Sequence, residues 1–99
     1  MMVIVNSIRF PQESASQVGK RFLEVAPPPD YLSMQGPYIK GTDQGIKALE
    51  IFNLDESKLA LGLDYVTQRC VSYFGIPGYT YEINVYFEAQ ESLKLIGLA

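Results

Sequence analysis

Along this chain the period of the apolar positions changes several times, and each change marks an element. Val3, Ile4 and Val5 form a short β-branched run inside Met2 to Phe10. Such a run fits a strand buried on both faces, in the middle of a sheet. Pro11 ends it, because proline brings no donor to a ladder, and suits the first turn of a helix, where that donor is not required. Ala15, Val18, Phe22 and Val25 then recur at spacings of three and four, which is one helical face. Glu13 lies in the first turn, where negative charge complements the helix dipole. Gly19 weakens the helix interior by about 1 kcal/mol, a cost that a packed face absorbs. Pro27, Pro28 and Pro29 stop the helix and stiffen the connector that Asp30 and Tyr31 carry into the next strand.

Met34 to Leu54 reads as two extended runs joined by a tight turn at Thr42-Asp43-Gln44-Gly45. Gly36 and Pro37 interrupt the first arm, which predicts a sheet edge or a bulge. The second arm, Ile46 to Leu54, sets Leu49 and Ile51 on one face and Ala48, Glu50 and Phe52 on the other. Neither face is wholly polar, so this arm is the more internal. Asp55 is a natural N-cap. Leu59, Leu63, Val66, Cys70 and Phe74 follow at four, three, four and four, the strongest helical period in the chain. Gly75 and Pro77 close it. From Tyr79 to Glu88 the alternation is that of a strand, with Tyr79, Tyr81, Ile83, Val85 and Phe87 turned toward the helices. Ala89, Leu93 and Ile96, with Gly97 as a stop, predict a short third helix.

The order is strand, helix, strand, strand, helix, strand and short helix. Two right-handed crossovers in that order give an α+β domain, a ferredoxin-like βαββαβ fold: a four-stranded antiparallel sheet with two helices on one face. Residues 1–99 form a single such domain. The other face is left uncovered, and its expected residues are Tyr86, Phe52, Ala48 and part of Val3 to Val5, mixed with Glu82, Asn84 and Glu50. That much apolar and aromatic surface exceeds what a monomer usually exposes. A homodimer through the sheet face is therefore expected.

The short opening strand, the helix from Pro11, the hairpin GPYIKGTDQGIKALEIF and the tyrosine-rich last strand together resemble the dimeric α+β-barrel superfamily. The resemblance extends over nearly the whole chain and lies in element order and hydrophobic pattern, with no motif specific to an activity. The superfamily holds small haem-degrading and antibiotic-biosynthesis monooxygenases, muconolactone isomerase-like proteins and many small bacterial proteins without an assigned function. It implies a sheet-to-sheet dimer and a cavity between helices and sheet. In the haem-degrading branch an asparagine placed as Asn6 is here works with a tryptophan and a histidine. This chain has no tryptophan and no histidine, so no haem and no other cofactor is expected.

Composition narrows the function further. The chain has 99 residues, 47% of them hydrophobic, and a formal net charge of −3. Its eight basic residues are scattered along the sequence, which argues against a nucleic-acid footprint. The lone Cys70 excludes an intrachain disulfide and suits a reducing compartment. MMVIVNSIRF is too short for a signal segment, and no apolar run nears the roughly 20 residues of a membrane span. A soluble cytoplasmic protein with no membrane partner is expected. Without histidine the usual general base, zinc ligand and haem ligand are missing together, and no metal site is expected. GTDQG has neither the lysine nor the following helix of a phosphate loop, and no serine sits in a nucleophile elbow.

What remains are carboxylates, an asparagine and tyrosines. Glu50, Glu82 and Glu88 lie on strands, and acid–base work would need two of them close together with one desolvated. Asn6 reads either as a ligand-orienting amide or as a group bonded to neighbouring backbone. Cys70 sits on the apolar stripe of the second helix and reads as core. Seven tyrosines are present; Tyr38, Tyr65, Tyr73, Tyr79 and Tyr81 either line a cavity or pack as ordinary aromatic core. The leading expectation is a small-molecule binding or sensing protein, or a dimerisation module, with Asn6, Tyr38, Tyr79, Tyr81 and Glu50 contacting an apolar small molecule. The alternative is a cofactor-independent enzyme of the monooxygenase or isomerase kind on an apolar or aromatic substrate, oriented by Asn6, Tyr38 and a strand carboxylate.

Overall fold

The computed structural model describes residues 1–98. The elements are β1 (Met2–Phe10), a 3-10 turn (Gln12–Ser14), α1 (Ala15–Glu24), β2 (Ser33–Thr42), β3 (Gly45–Leu54), a second 3-10 turn (Glu56–Lys58), α2 (Leu59–Val71), β4 (Thr80–Phe87) and α3 (Ala89–Leu95). The four strands form one open sheet in the order β2-β3-β1-β4, antiparallel throughout. Both sheet-crossing helices lie on the same face. Val66 of α2 packs with Met2, Ile4, Leu32, Phe52 and Leu54, while Ala15 and Val18 of α1 pack against Ile8, Phe10 and Ala48.

β1 is internal, but its burial alternates. Met2, Ile4, Asn6, Ile8 and Phe10 are buried beneath the helices, and Val3, Val5 and Ser7 are only half-buried on the other face. The expectation of burial on both faces is thus corrected within the single chain. Pairing with β1 then sets the parity of β3: Ala48 stands opposite Ile8, Glu50 opposite Asn6 and Phe52 opposite Ile4. Ala48, Glu50 and Phe52, expected on the uncovered face, are in fact buried under the helices. Both faces of β3 carry apolar residues, so alternation alone could not choose between them; a one-residue change of parity exchanges the faces completely. Leu49 and Ile51 take the open face instead, beside Val3, Val5, Glu82, Asn84 and Tyr86 of the neighbouring strands.

β2 is an edge strand whose register shifts between Gln35 and Tyr38. Gly36 adopts φ +88, and a Cβ there would meet the Leu49 carbonyl oxygen at 2.7 Å. The extra residue changes which face each side chain serves. Before the shift Met34 pairs with Phe52 on the covered face; after it Ile39 pairs with Ala48 there, and Tyr38 pairs with Leu49 on the open face.

Asp55 caps the turn into α2 by accepting from the Ser57 amide at 3.0 Å, as its side chain predicts. α2 approaches the sheet closely at Gly62, where an added Cβ would lie 2.7 Å from Leu54 Cδ1. α3 forms where the third helix was expected. Among the described residues no helix is long and apolar enough to cross a membrane.

Candidate functional site

The two apolar clusters of the covered face are separated by one polar rung. Ile4 and Phe52 belong to one cluster, Ile8 and Ala48 to the other, and between them Asn6 of β1 stands opposite Glu50 of β3. Both are buried, Glu50 with 1% of its surface exposed. Polar groups in that position require partners, and α2 supplies them from above.

Arg69, itself 5% exposed, donates to Glu50 Oε2 from Nε at 3.0 Å and from Nη2 at 2.8 Å. The Asn6 amide donates to Glu50 Oε1 at 3.0 Å and to the Cys70 sulfur at 3.3 Å. A carboxylate only accepts, which sets the amide nitrogen of Asn6 toward it. The network continues from Arg69 Nη1 to the Tyr65 hydroxyl at 3.4 Å, which donates to the Ala26 carbonyl at 2.8 Å. The Phe22 ring of α1 covers the guanidinium at 5.7 Å, within cation–π reach. Asn6 Oδ1 and the Tyr79 hydroxyl are buried with no hydrogen-bond partner among the described residues.

These surroundings act on the titratable groups. Burial opposes the charge on Arg69, yet its hydrogen bonds to Glu50 and the nearby carboxylate hold its pKa above the ordinary value. Burial pushes the Cys70 thiol up to about 11, with Glu50 adding to the rise and the Asn6 amide opposing it. Burial likewise pushes Tyr73 up to about 12, and raises Tyr79 further still, with Cys70 and Tyr73 as its neighbours. Cys70 therefore stays a protonated thiol at neutral pH and has no nucleophilic character.

Beside the polar rung lies an apolar crevice. α1 has no fully buried residue, and Ile39 of β2 remains 62% exposed on the covered face. The helix thus roofs the space over β1 and β3 without filling it. A crevice of about 260 Å³ is left, walled by Ile8, Phe10, Val18, Phe22, Ile39 and Ala48, with Gly19 in the roof and Glu50 and Tyr73 at the polar end. The volume falls just below the usual range of small-ligand sites, and the mixture of apolar wall with few polar groups is typical of them.

Of the residues predicted from sequence, Asn6 and Glu50 are brought together. Tyr79 stacks on Tyr73 at 5.1 Å, close to the same cluster. Tyr81 lies at the outer flank of β4, 6.2 Å from Tyr79 and 6.2 Å from Phe74, and is 38% exposed. Tyr38 is separated from all of them, on the open face and 57% exposed. Glu82 is also on the open face and Glu88 follows the end of β4, so neither joins Glu50 in an acid–base pair. Arg69 is the residue that sequence reasoning missed. Its signal is spacing: it stands three residues after Val66 and four after Tyr65, on the side of α2 that carries Cys70.

No protein-family model matches the chain, and no curated protein matches it. Among solved structures it is similar to a tripeptidase from Staphylococcus aureus, with 14% identity and a TM-score of 0.46. That match covers 99% of this chain and 35% of the other, so the chain spans about a third of that protein's length.

Proposed function

We propose that this chain is a ferredoxin-like domain that pairs with a second copy through its open sheet face and holds a small apolar molecule beneath α1. The fold reading is supported by the strand order β2-β3-β1-β4 with both helices on one face. The pairing is supported by the apolar content of the open face: Val3, Val5, Leu49 and Ile51 lie there half-buried, and Tyr38 and Tyr86 are 57% and 54% exposed.

The observation that carries the binding function is the unfilled crevice ending on Glu50 and Tyr73. A protein interior is normally packed to the density of an organic crystal, and here the helix face spaced for packing carries Gly19 where a larger side chain would close the gap. Binding is favoured over catalysis because Glu50 already accepts from Asn6 on one oxygen and from Arg69 on the other. Both carboxylate oxygens are thus engaged within the chain rather than presented to a substrate. Tyr38, on the far side of the sheet, does not reach a molecule in the crevice.

Gly19→Leu tests this reading. A Cβ at Gly19 meets nothing within 4 Å, so the substitution leaves the fold intact while its side chain occupies the crevice. Titration with the neutral apolar fluorophore N-phenyl-1-naphthylamine should give saturable binding to the native sequence and at least about ten-fold weaker binding to the variant. Equal binding by a folded variant would refute the site.

A further inference from the structure

The crevice beneath α1 has two polar side chains in its wall, Glu50 and Tyr73, and their hydrogen bonding differs. Glu50 is committed within the chain: Oε1 accepts from Asn6, and Oε2 accepts twice from Arg69. Tyr73 is 3% exposed, yet among the described residues its hydroxyl makes no hydrogen bond. The bonds that join Asn6, Glu50, Tyr65, Arg69 and Cys70 all pass it by. The buried oxygens sealed off without a partner are Asn6 Oδ1 and the Tyr79 hydroxyl. The Tyr73 oxygen is not one of these, so it opens onto free space, and the free space that Tyr73 borders is the crevice.

The residue is held firmly in that position. Its amide donates to the Cys70 carbonyl at 3.1 Å, and its own carbonyl accepts from Ile76 at 3.4 Å. Its ring stacks on Tyr79 at 5.1 Å, 11° from parallel. Burial keeps the phenol protonated at neutral pH, with its pKa pushed up to about 12. A tyrosine hydroxyl both donates and accepts. A ligand that donated to it would leave the phenolic hydrogen without an acceptor, whereas a ligand that accepts leaves nothing unpaired. The neighbour sets the charge. Arg69 balances Glu50 from α2 without entering the crevice wall. A cation therefore finds the carboxylate already paired, and an anion would be stripped of water beside another anion.

We propose that the molecule held under α1 is neutral, with an apolar body that ends in one hydrogen-bond-accepting oxygen, a carbonyl in the simplest case, bonded by the Tyr73 hydroxyl. This rests on the crevice reading above and adds to it the polar group that the ligand carries and the residue that selects it. The apolar wall from Ile8 to Ile39 supplies affinity, and the single hydroxyl decides which end of the ligand lies against the polar rung. A hydrocarbon of the same shape fits the wall but leaves the hydroxyl unpaired, and a site with a buried donor discriminates against such an analogue.

The test compares two ligands of one shape, 2-acetylnaphthalene and 2-isopropenylnaphthalene, in which a methylene replaces the carbonyl oxygen. Each competes with N-phenyl-1-naphthylamine for the native chain, for Tyr73→Phe and for Gly19→Leu. Tyr73→Phe removes an oxygen that has no partner within the chain and keeps the ring on Tyr79, and unchanged far-UV circular dichroism verifies folding. This variant should bind the ketone at least about five-fold more weakly than the native chain does, and the hydrocarbon equally well or better. Each ligand is compared with itself across the two proteins, so its own hydration cancels. 2-Naphthoate, the anion with the same body, should bind the native chain at least about ten-fold more weakly than the ketone. A ketone indifferent to Tyr73→Phe, two ligands weakened alike by it, or a naphthoate that binds better than the ketone would overturn the proposal. The crevice would still stand if Gly19→Leu excluded the ligands. No binding to the native chain, or equal binding to Gly19→Leu, would overturn the crevice reading, and this proposal with it.

Discussion

Glu50 and Arg69 show what a buried charge requires. Glu50 is 1% exposed and Arg69 5%, and taking two such groups out of water costs several kcal/mol each unless the pair is close and its remaining valences are filled. Here three hydrogen bonds reach the carboxylate. Arg69→Met would leave a stranded carboxylate beneath α2 and should lower the unfolding free energy by about 3–5 kcal/mol in urea titration. Glu50→Gln in the same chain removes the stranded charge and should recover part of that loss; a double variant no more stable than the single one would refute the charge argument. Cys70 gives a pH dependence of opposite origin. Its thiol is raised from 9.0 to about 11, so below pH 9 both folded and unfolded chains hold the proton and its contribution is complete. Between pH 9 and 11 the unfolded chain releases a proton that the folded chain retains, and stability falls as pH rises. Cys70 should account for about 1–3 kcal/mol of the loss over that window, and Cys70→Ala should make the fall shallower while Tyr73 and Tyr79 still contribute above pH 10; parallel curves for the two would contradict a buried thiol. The individual members of this cluster could be named from sequence, but not their meeting. Asn6 and Glu50 are brought opposite each other by a cross-strand register, and Tyr38 is removed from them by the bulge at Gly36 and Pro37.

At the scale of elements, local chemistry was a reliable guide wherever one face was plainly apolar. The stripe through Leu59, Leu63, Val66 and Cys70, the cap at Asp55 and the turn at Thr42 to Gly45 appear as their residues predict; β4 forms as a strand, but Tyr81, Val85 and Phe87 of the set expected under the helices are exposed, so its burial does not alternate. The stripe overran at its end: α2 stops at Val71 and Phe74 is 54% exposed, because the turns toward Gly75 redirect the chain. β3 resisted reading, since Ala48 and Phe52 on one face balance Leu49 and Ile51 on the other. The looseness of α1 was likewise hidden, because Ala15, Val18 and Phe22 have the spacing of a packed helix and only the structure shows the space they leave. Gly19 lies in that face, and leucine is a better helix former than glycine by roughly 0.8 kcal/mol. The crevice-filling Gly19→Leu should accordingly melt no lower than the native chain, which separates loss of binding from loss of fold.

The whole molecule has two unequal faces. One is covered by helices and divided by a polar rung with a crevice at its side; the other is open and apolar at its centre. The central claim is that both faces are used together, one for a second copy and the other for a small apolar molecule. Native mass spectrometry of the chain incubated with N-phenyl-1-naphthylamine reads both at once. The account predicts a dimer of the 11.1 kDa chain carrying one probe per subunit, and an empty dimer for Gly19→Leu. A monomer, or a native dimer that takes up no probe, would contradict it.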